Sequence, residues 1–272
     1  MILNTGGRTD TVQYYTDWLL RRFQEGYVLS RNPLFPHKVT RYELTPEQVD
    51  CVVFCSKNYA PILPRLHEIT DRFPTYFYYT ITAYGRDIEP GVPSLEASME
   101  TLLQLSRQVG RQRLAWRYDP VLLTETYTIQ RHLDAFAHMA ETLTPYVDRC
   151  IFSFVERYKK LETNMPELLP LTPEDREALA QGLGAIAQEH AGTGELIGHR
   201  SHLVFPKGCP ARRAERSFLA RAVTAEGISR GSAEKMQIRP LFLSPHGPSY
   251  HKIWVSSTAR RAGQSAKAGE KG

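Results

Sequence analysis

Short apolar runs in this chain end, one after another, in polar residues, and helix-like periods follow them. Leu3 leads into Asn4-Thr5-Gly6-Gly7-Arg8-Thr9-Asp10, and Tyr27-Val28-Leu29 leads into Ser30-Arg31-Asn32-Pro33. Cys51-Val52-Val53-Phe54-Cys55 leads into Ser56-Lys57-Asn58, and residues 76–82 lead into Tyr84-Gly85-Arg86-Asp87. Leu114-Ala115-Trp116 leads into Arg117-Tyr118-Asp119-Pro120. Alternation of strand and helix patterns predicts a parallel sheet with crossover helices. Such sheets carry their chemistry where strands end. Runs that end alike therefore predict one polar rim built from many strands.

The intervening segments have helical period. Residues 11–25 set Tyr15, Trp18, Leu19 and Phe23 on one stripe, and Gly26 stands where a C-terminal cap belongs. Residues 95–109 repeat the plan with Leu95, Met99, Leu102, Leu103 and Leu105, closed by Gly110. Residues 128–143 carry Ile129, Leu133, Phe136, Ala137, Ala140 and Leu143. Thr172-Pro173-Glu174-Asp175 opens a helix over residues 173–189, and Thr45-Pro46-Glu47 opens one short turn. A further strand is expected at residues 150–154. The resulting sheet can close toward a barrel or lie open. A complete eightfold barrel needs two more units after residue 190.

That boundary is also a boundary of charge. Residues 191–272 hold 14 Lys+Arg, 5 Glu and no Asp, whereas residues 1–190 hold 20 Lys+Arg and 24 Asp+Glu. The basic segment loses hydrophobic period, so the sequence divides into a domain over 1–190 and a poorly ordered tail over 191–272. No apolar stretch approaches the roughly 18–20 residues that span a bilayer, so no membrane partner is expected. The N-terminus lacks the basic region and apolar core of a secretory signal. Four cysteines in 272 residues make no disulfide framework. A cytoplasmic location follows as an expectation.

The candidate pocket gathers the strand-end polar groups: Arg8, Asp10, Arg31, Asn32, Lys57, Asn58, Thr82, Arg86, Arg117 and Asp119. Thr9 or Asp10 also suits a helix cap. Gly6-Gly7 permits an anion-binding turn. Arg117 and Asp119 lie two apart on a strand and share a face, as an ion pair or as ligand contacts. A desolvated Lys57 could act as a base or Schiff-base amine, and a solvated one is the commoner outcome. In residues 76–82, Phe77, Tyr79 and Ile81 alternate with Tyr76, Tyr78, Thr80 and Thr82, as in a strand buried on both sides.

Metal chemistry finds little support in the spacing. Cys51 and Cys55 stand about 13 Å apart if extended, too far to share one zinc ion. Cys150 reads as another core thiol. His199 and His202 lack a third ligand nearby. No P-loop, G-x-G-x-x-G, G-x-S-x-G or H-E-x-x-H pattern occurs.

The strand-end motifs together resemble the bacterial family called domain of unknown function 1848. They are residues 4–10, 30–33, 54–58, 82–90 and 116–120, continued by Asp148-Arg149-Cys150-Ile151-Phe152-Ser153-Phe154 and Tyr158-Lys159-Lys160. The resemblance implies a partial (β/α) barrel, TIM-barrel-like. It also implies a cysteine cluster of the C-x₃-C-x₂-C kind found in radical S-adenosylmethionine enzymes, holding [4Fe–4S]. Cys209 is the only cysteine after residue 150, so no triplet exists and no cofactor is expected in this chain. The charge reversal, the missing Asp and the lost period read as a shift of reading frame near residue 191. The leading expectation is an uncharacterised, radical-S-adenosylmethionine-like barrel enzyme without its cluster, acting on a small molecule. The alternatives are a nucleic-acid-binding protein that uses the basic tail, and a metal-independent lyase or isomerase that uses Lys57 with Asp119.

Overall fold

A computed structural model describes residues 1–6, 9–31, 34–35, 37–155, 159–190, 195–198 and 254–256. The strands are β1 (Ile2–Asn4), β2 (Tyr27–Arg31), β3 (Val39–Glu43), β4 (Cys51–Ser56), β5 (Thr75–Thr80), β6 (Leu114–Val121), β7 (Arg149–Phe154), β8 (Glu195–Gly198) and β9 (Trp254–Ser256). The helices are α1 (Thr11–Glu25), α2 (His67–Thr70), α3 (Leu95–Val109), α4 (Ile129–Leu143), α5 (Lys159–Asn164) and α6 (Pro173–His190). The fold is mixed α/β, and β1, β4, β5, β6 and β7 supply a parallel five-strand sheet. Closure of that sheet into a barrel is not seen among the described residues.

The chain divides into two compact units, Met1–Cys55 with Pro64–Tyr76 and Phe205–Gly272, and Ser56–Leu63 with Phe77–Val204. In the first unit β1 runs parallel to β4, with Ile2 opposite Cys51 and Asn4 opposite Val53. Asp10 caps α1 by accepting from the Gln13 N–H at 2.9 Å, and Gly26 ends it at φ 76°. The left-handed conformation at that position is why glycine stands there. Gly6 has a different reason. A Cβ on it would lie 2.6 Å from the Cys55 carbonyl oxygen, so the turn after β1 must press on β4.

The second apolar run does not join the parallel sheet. β2 pairs antiparallel with β3 in a separate two-stranded sheet, with Leu29 opposite Arg41. Val28 is buried while Leu29 is 52% exposed. A strand buried on one face only suits a hairpin, whereas a central parallel strand needs both faces covered. The sequence reading missed β3 because Val39-Thr40-Arg41-Tyr42-Glu43 contains no apolar run.

In the second unit β5, β6 and β7 run parallel, with Thr80 opposite Arg117 and Arg117 opposite Ile151. One face of these strands meets helices. Trp116, 1% exposed, stacks on Phe136 of α4 at 4.9 Å and 17°. Tyr118 meets the same ring edge-on at 5.2 Å. Gly182 lets α6 lie close on α4, since a Cβ there would fall 2.6 Å from Leu133.

Two short strands fall in the segment read as an irregular tail. β8 runs parallel to β7 and β9 antiparallel to β1. A strand therefore does follow α6, contrary to the reading of an aperiodic segment directly after residue 190. Four residues with one apolar pair are too few for a periodic signal.

Candidate functional site

Arg117 and Asp119 leave β6 on the face opposite Trp116 and Tyr118, as strand alternation requires. The β6–β7 register breaks between Tyr118–Phe152 and Val121–Phe154, so residues 119 and 120 stand against the single residue Ser153. Such a bulge re-aims a side chain at a strand end. Asp119 uses this position to divide its two oxygens. Oδ2 pairs with the Arg117 guanidinium and Oδ1 accepts from the Ser153 hydroxyl.

Glu89 repeats the plan one strand over. Its Oε1 pairs with the Lys57 ammonium just after β4, and its Oε2 accepts from the Thr82 hydroxyl at 2.9 Å. The Ile81 N–H donates to the Arg117 carbonyl at 3.1 Å, which carries the β5–β6 ladder toward Thr82. Both carboxylates are largely buried, with 12% of the Asp119 and 13% of the Glu89 side chain exposed, while about a third of each cation reaches solvent. Half-buried ion pairs add little stability over an apolar core of equal volume. Each carboxylate is thus held by one cation and one hydroxyl of the chain itself.

Two tyrosines bind the loops beside these networks. The Tyr84 hydroxyl donates to the Pro120 carbonyl at 2.7 Å and accepts from the Leu122 N–H at 2.9 Å. The Tyr127 hydroxyl donates to Asp87 at 2.8 Å and accepts from the Gly85 N–H at 2.8 Å. Their rings meet edge-on at 5.1 Å. Burial pushes the Tyr84 and Tyr118 hydroxyls well above the ordinary phenol range, so both stay protonated donors.

Beneath them His132 of α4 is fully buried. Its Nε2 lies 2.8 Å from the Leu122 carbonyl, which can only accept, so Nε2 carries the proton. Nδ1 then accepts from the Tyr118 hydroxyl at 2.7 Å. Burial holds the imidazole below its ordinary range. The role is structural, within the unit's core.

Of the residues chosen from sequence, Lys57, Thr82, Arg117 and Asp119 enter these two networks. Asn58 instead shapes a turn, its side-chain oxygen accepting from the Ala60 N–H at 3.0 Å. Arg86 is exposed. Asp10 is the α1 cap described above. Arg31 is exposed at the end of β2, outside the parallel sheet. Arg8 and Asn32 lie outside the described residues, as do Cys209, His199 and His202. Sequence reasoning passed over Glu89 and Ser153. Ser153 carries a signal, standing two residues past Ile151 on the face that Ile151 shares with Arg117. Glu89 sits seven residues beyond Thr82 in a loop, where no period marks it.

The three described thiols do not gather as the cluster that the resemblance implies. Cys51 and Cys55 are four residues apart on β4, about 13 Å along an extended strand. Burial pushes the Cys150 thiol up, against the thiolate that an iron ligand needs. Among the described residues no three His, Cys, Asp or Glu gather as a metal-binding group.

A family model described as Domain of unknown function (DUF1848) matches residues 2–212. The chain belongs to this family. The DUF1848 match takes in both networks and both tyrosines, and runs past residue 190 into the basic segment. No curated protein matches the chain. No helix among the described residues is long and apolar enough to cross a membrane.

Proposed function

We propose that this DUF1848 chain is a partial (β/α)-barrel enzyme whose strand ends bind a small polar molecule bearing an anionic group. The reading rests on Asp119. Its bulge lifts it out of the β6–β7 ladder and sets it between Arg117 and Ser153 on the face turned from α4. Arg117 offers the planar fork that suits a carboxylate or phosphate, and Lys57 offers a second cation. In parallel α/β folds ligands bind beyond the carboxyl ends of the strands; Lys57 directly follows β4, and Arg117 stands on β6 opposite Thr80, the last residue of β5.

Lys57 in this reading is an ammonium that binds charge. It is paired with the Glu89 carboxylate. We further propose that the basic segment beyond residue 212, where the family match ends, is a shifted reading frame, which moves the break downstream of the position near residue 191 that the charge reversal alone suggests. Translating the other two frames of the encoding DNA should then yield a C-x₃-C-x₂-C triplet. Two frames without one would remove that reading.

Inorganic phosphate and malonate test the anion site. Either should raise the unfolding temperature of the wild-type chain in a saturable way. A ligand at a hundred times its Kd adds about 2.7 kcal/mol. Arg117→Gln should abolish the shift and Lys57→Gln should weaken it. Arg107→Gln, on the exposed side of α3, should leave it intact. Equal shifts in wild type and Arg117→Gln would count against the site, as would no shift at all.

A further inference from the structure

The hydrogen bonds of Tyr84 and Tyr127 cross over between the two carboxylate networks. Tyr84 lies on the loop between Thr82 and Glu89, yet its hydroxyl holds the carbonyl of Pro120, the residue after Asp119. Tyr127 lies beyond Asp119 in the chain, yet its hydroxyl holds the Gly85 N–H. The Gly85 carbonyl in turn accepts from the backbone N–H of Glu89 at 2.9 Å. Each tyrosine is therefore carried by one loop and fixes the backbone beside the carboxylate of the other.

We propose that Tyr84 and Tyr127 form a single crossed clasp of positioning residues that sets Glu89 and Asp119 relative to each other. The proposal rests on the reading of those carboxylates as a binding site. Each hydroxyl gives one hydrogen bond and takes one, so each is saturated by backbone or by Asp87. Neither tyrosine has to touch the ligand. The edge-on ring contact at 5.1 Å joins the two halves, and the Tyr84 ring also meets His132 edge-on at 5.7 Å. Losing either hydroxyl frees one loop, and the shared ring contact passes the slack to the other. Residues in one hydrogen-bonded network couple in this way, whereas distant ones add.

Amide hydrogen exchange on the full chain reads the clasp without any ligand. Tyr84→Phe keeps the ring and removes its two hydrogen bonds, so the Leu122 amide should exchange faster. The crossed geometry adds a second expectation. The Gly85 and Glu89 amides, to which the Tyr84 hydroxyl makes no hydrogen bond, should also speed up by about tenfold, the change one net hydrogen bond carries. Tyr127→Phe should reciprocate, speeding Leu122 as well as Gly85. An amide response confined to the bonds each variant removes would overturn the clasp. Should Tyr84→Phe fail to fold, Tyr127→Phe alone still carries the cross-loop test.

Phosphate binding separates this proposal from the site it depends on. Tyr84→Phe should weaken phosphate by about tenfold on the same basis, while its cross-loop exchange is raised. Unchanged phosphate affinity in a variant with loosened loops would overturn the positioning role. Absence of phosphate binding in the wild type, with reciprocal exchange intact, would overturn the anion site and leave the clasp standing.

Discussion

Trp116→Ala should cost about 3–5 kcal/mol, the range for deleting a large buried aromatic side chain. The ring is 1% exposed, stacks on Phe136 and meets Tyr118 edge-on at 6.0 Å. Its Nε1–H also donates to the Ile81 carbonyl at 2.9 Å, one residue before Thr82. Truncation thus opens a cavity between β6 and α4 and orphans a carbonyl at the site's edge. A domain with about 5–15 kcal/mol in hand loses much of it. Urea titration should show a much lower midpoint with little change in slope. Trp116→Phe, which keeps a ring for Phe136 to stack on, should recover more than half of the loss. A midpoint within error of wild type for Trp116→Ala would mean that α4 does not pack on β6 as described.

His132→Leu comes next in size and has a pH signature. The substitution keeps the volume apolar but strips partners from the Tyr118 hydroxyl and the Leu122 carbonyl. Each buried orphan costs about 1–3 kcal/mol. Burial holds the folded-state imidazole below its unfolded value of 6.5. Below pH 6.5 the unfolded chain therefore binds a proton that the folded chain refuses. The stability that neutral His132 contributes is fully present above that pH. It is lost as pH falls toward the depressed folded value, by at most about 1.4 kcal/mol per pH unit. Unfolding measured between about pH 5 and 8 should show the wild type drawing closer to His132→Leu as pH falls. A difference independent of pH would mean that the imidazole titrates alike in both states.

The same histidine shows where sequence patterns stop informing. An apolar stripe through Ile129, Leu133, Phe136, Ala137, Ala140 and Leu143 describes α4 as a helix. The buried positions are His132, Phe136, Met139, Ala140 and Leu143, a stripe turned by about one residue. The imidazole belongs to that stripe because two buried partners satisfy both its nitrogens, and a hydropathy pattern has no means to record partners. Strand runs were legible for β1, β4, β5, β6 and β7 because parallel strands are apolar on both faces. Tyr27-Val28-Leu29 looked the same, and only its exposed outer face tells a hairpin from a central strand. At the site, strand period found Arg117 and Asp119 together. Glu89 stayed hidden because its place depends on a loop folded by tyrosines on two segments.

The bulge on β6 has a consequence for change over time. Residues 119 and 120 interrupt the regular β6–β7 register, which resumes at Val121 and Phe154. Asp119 stands at that break with 12% of its side chain exposed and the Arg117 guanidinium as its counter-ion, so a change at one of the two strands a part-buried charge and the pair has to change together.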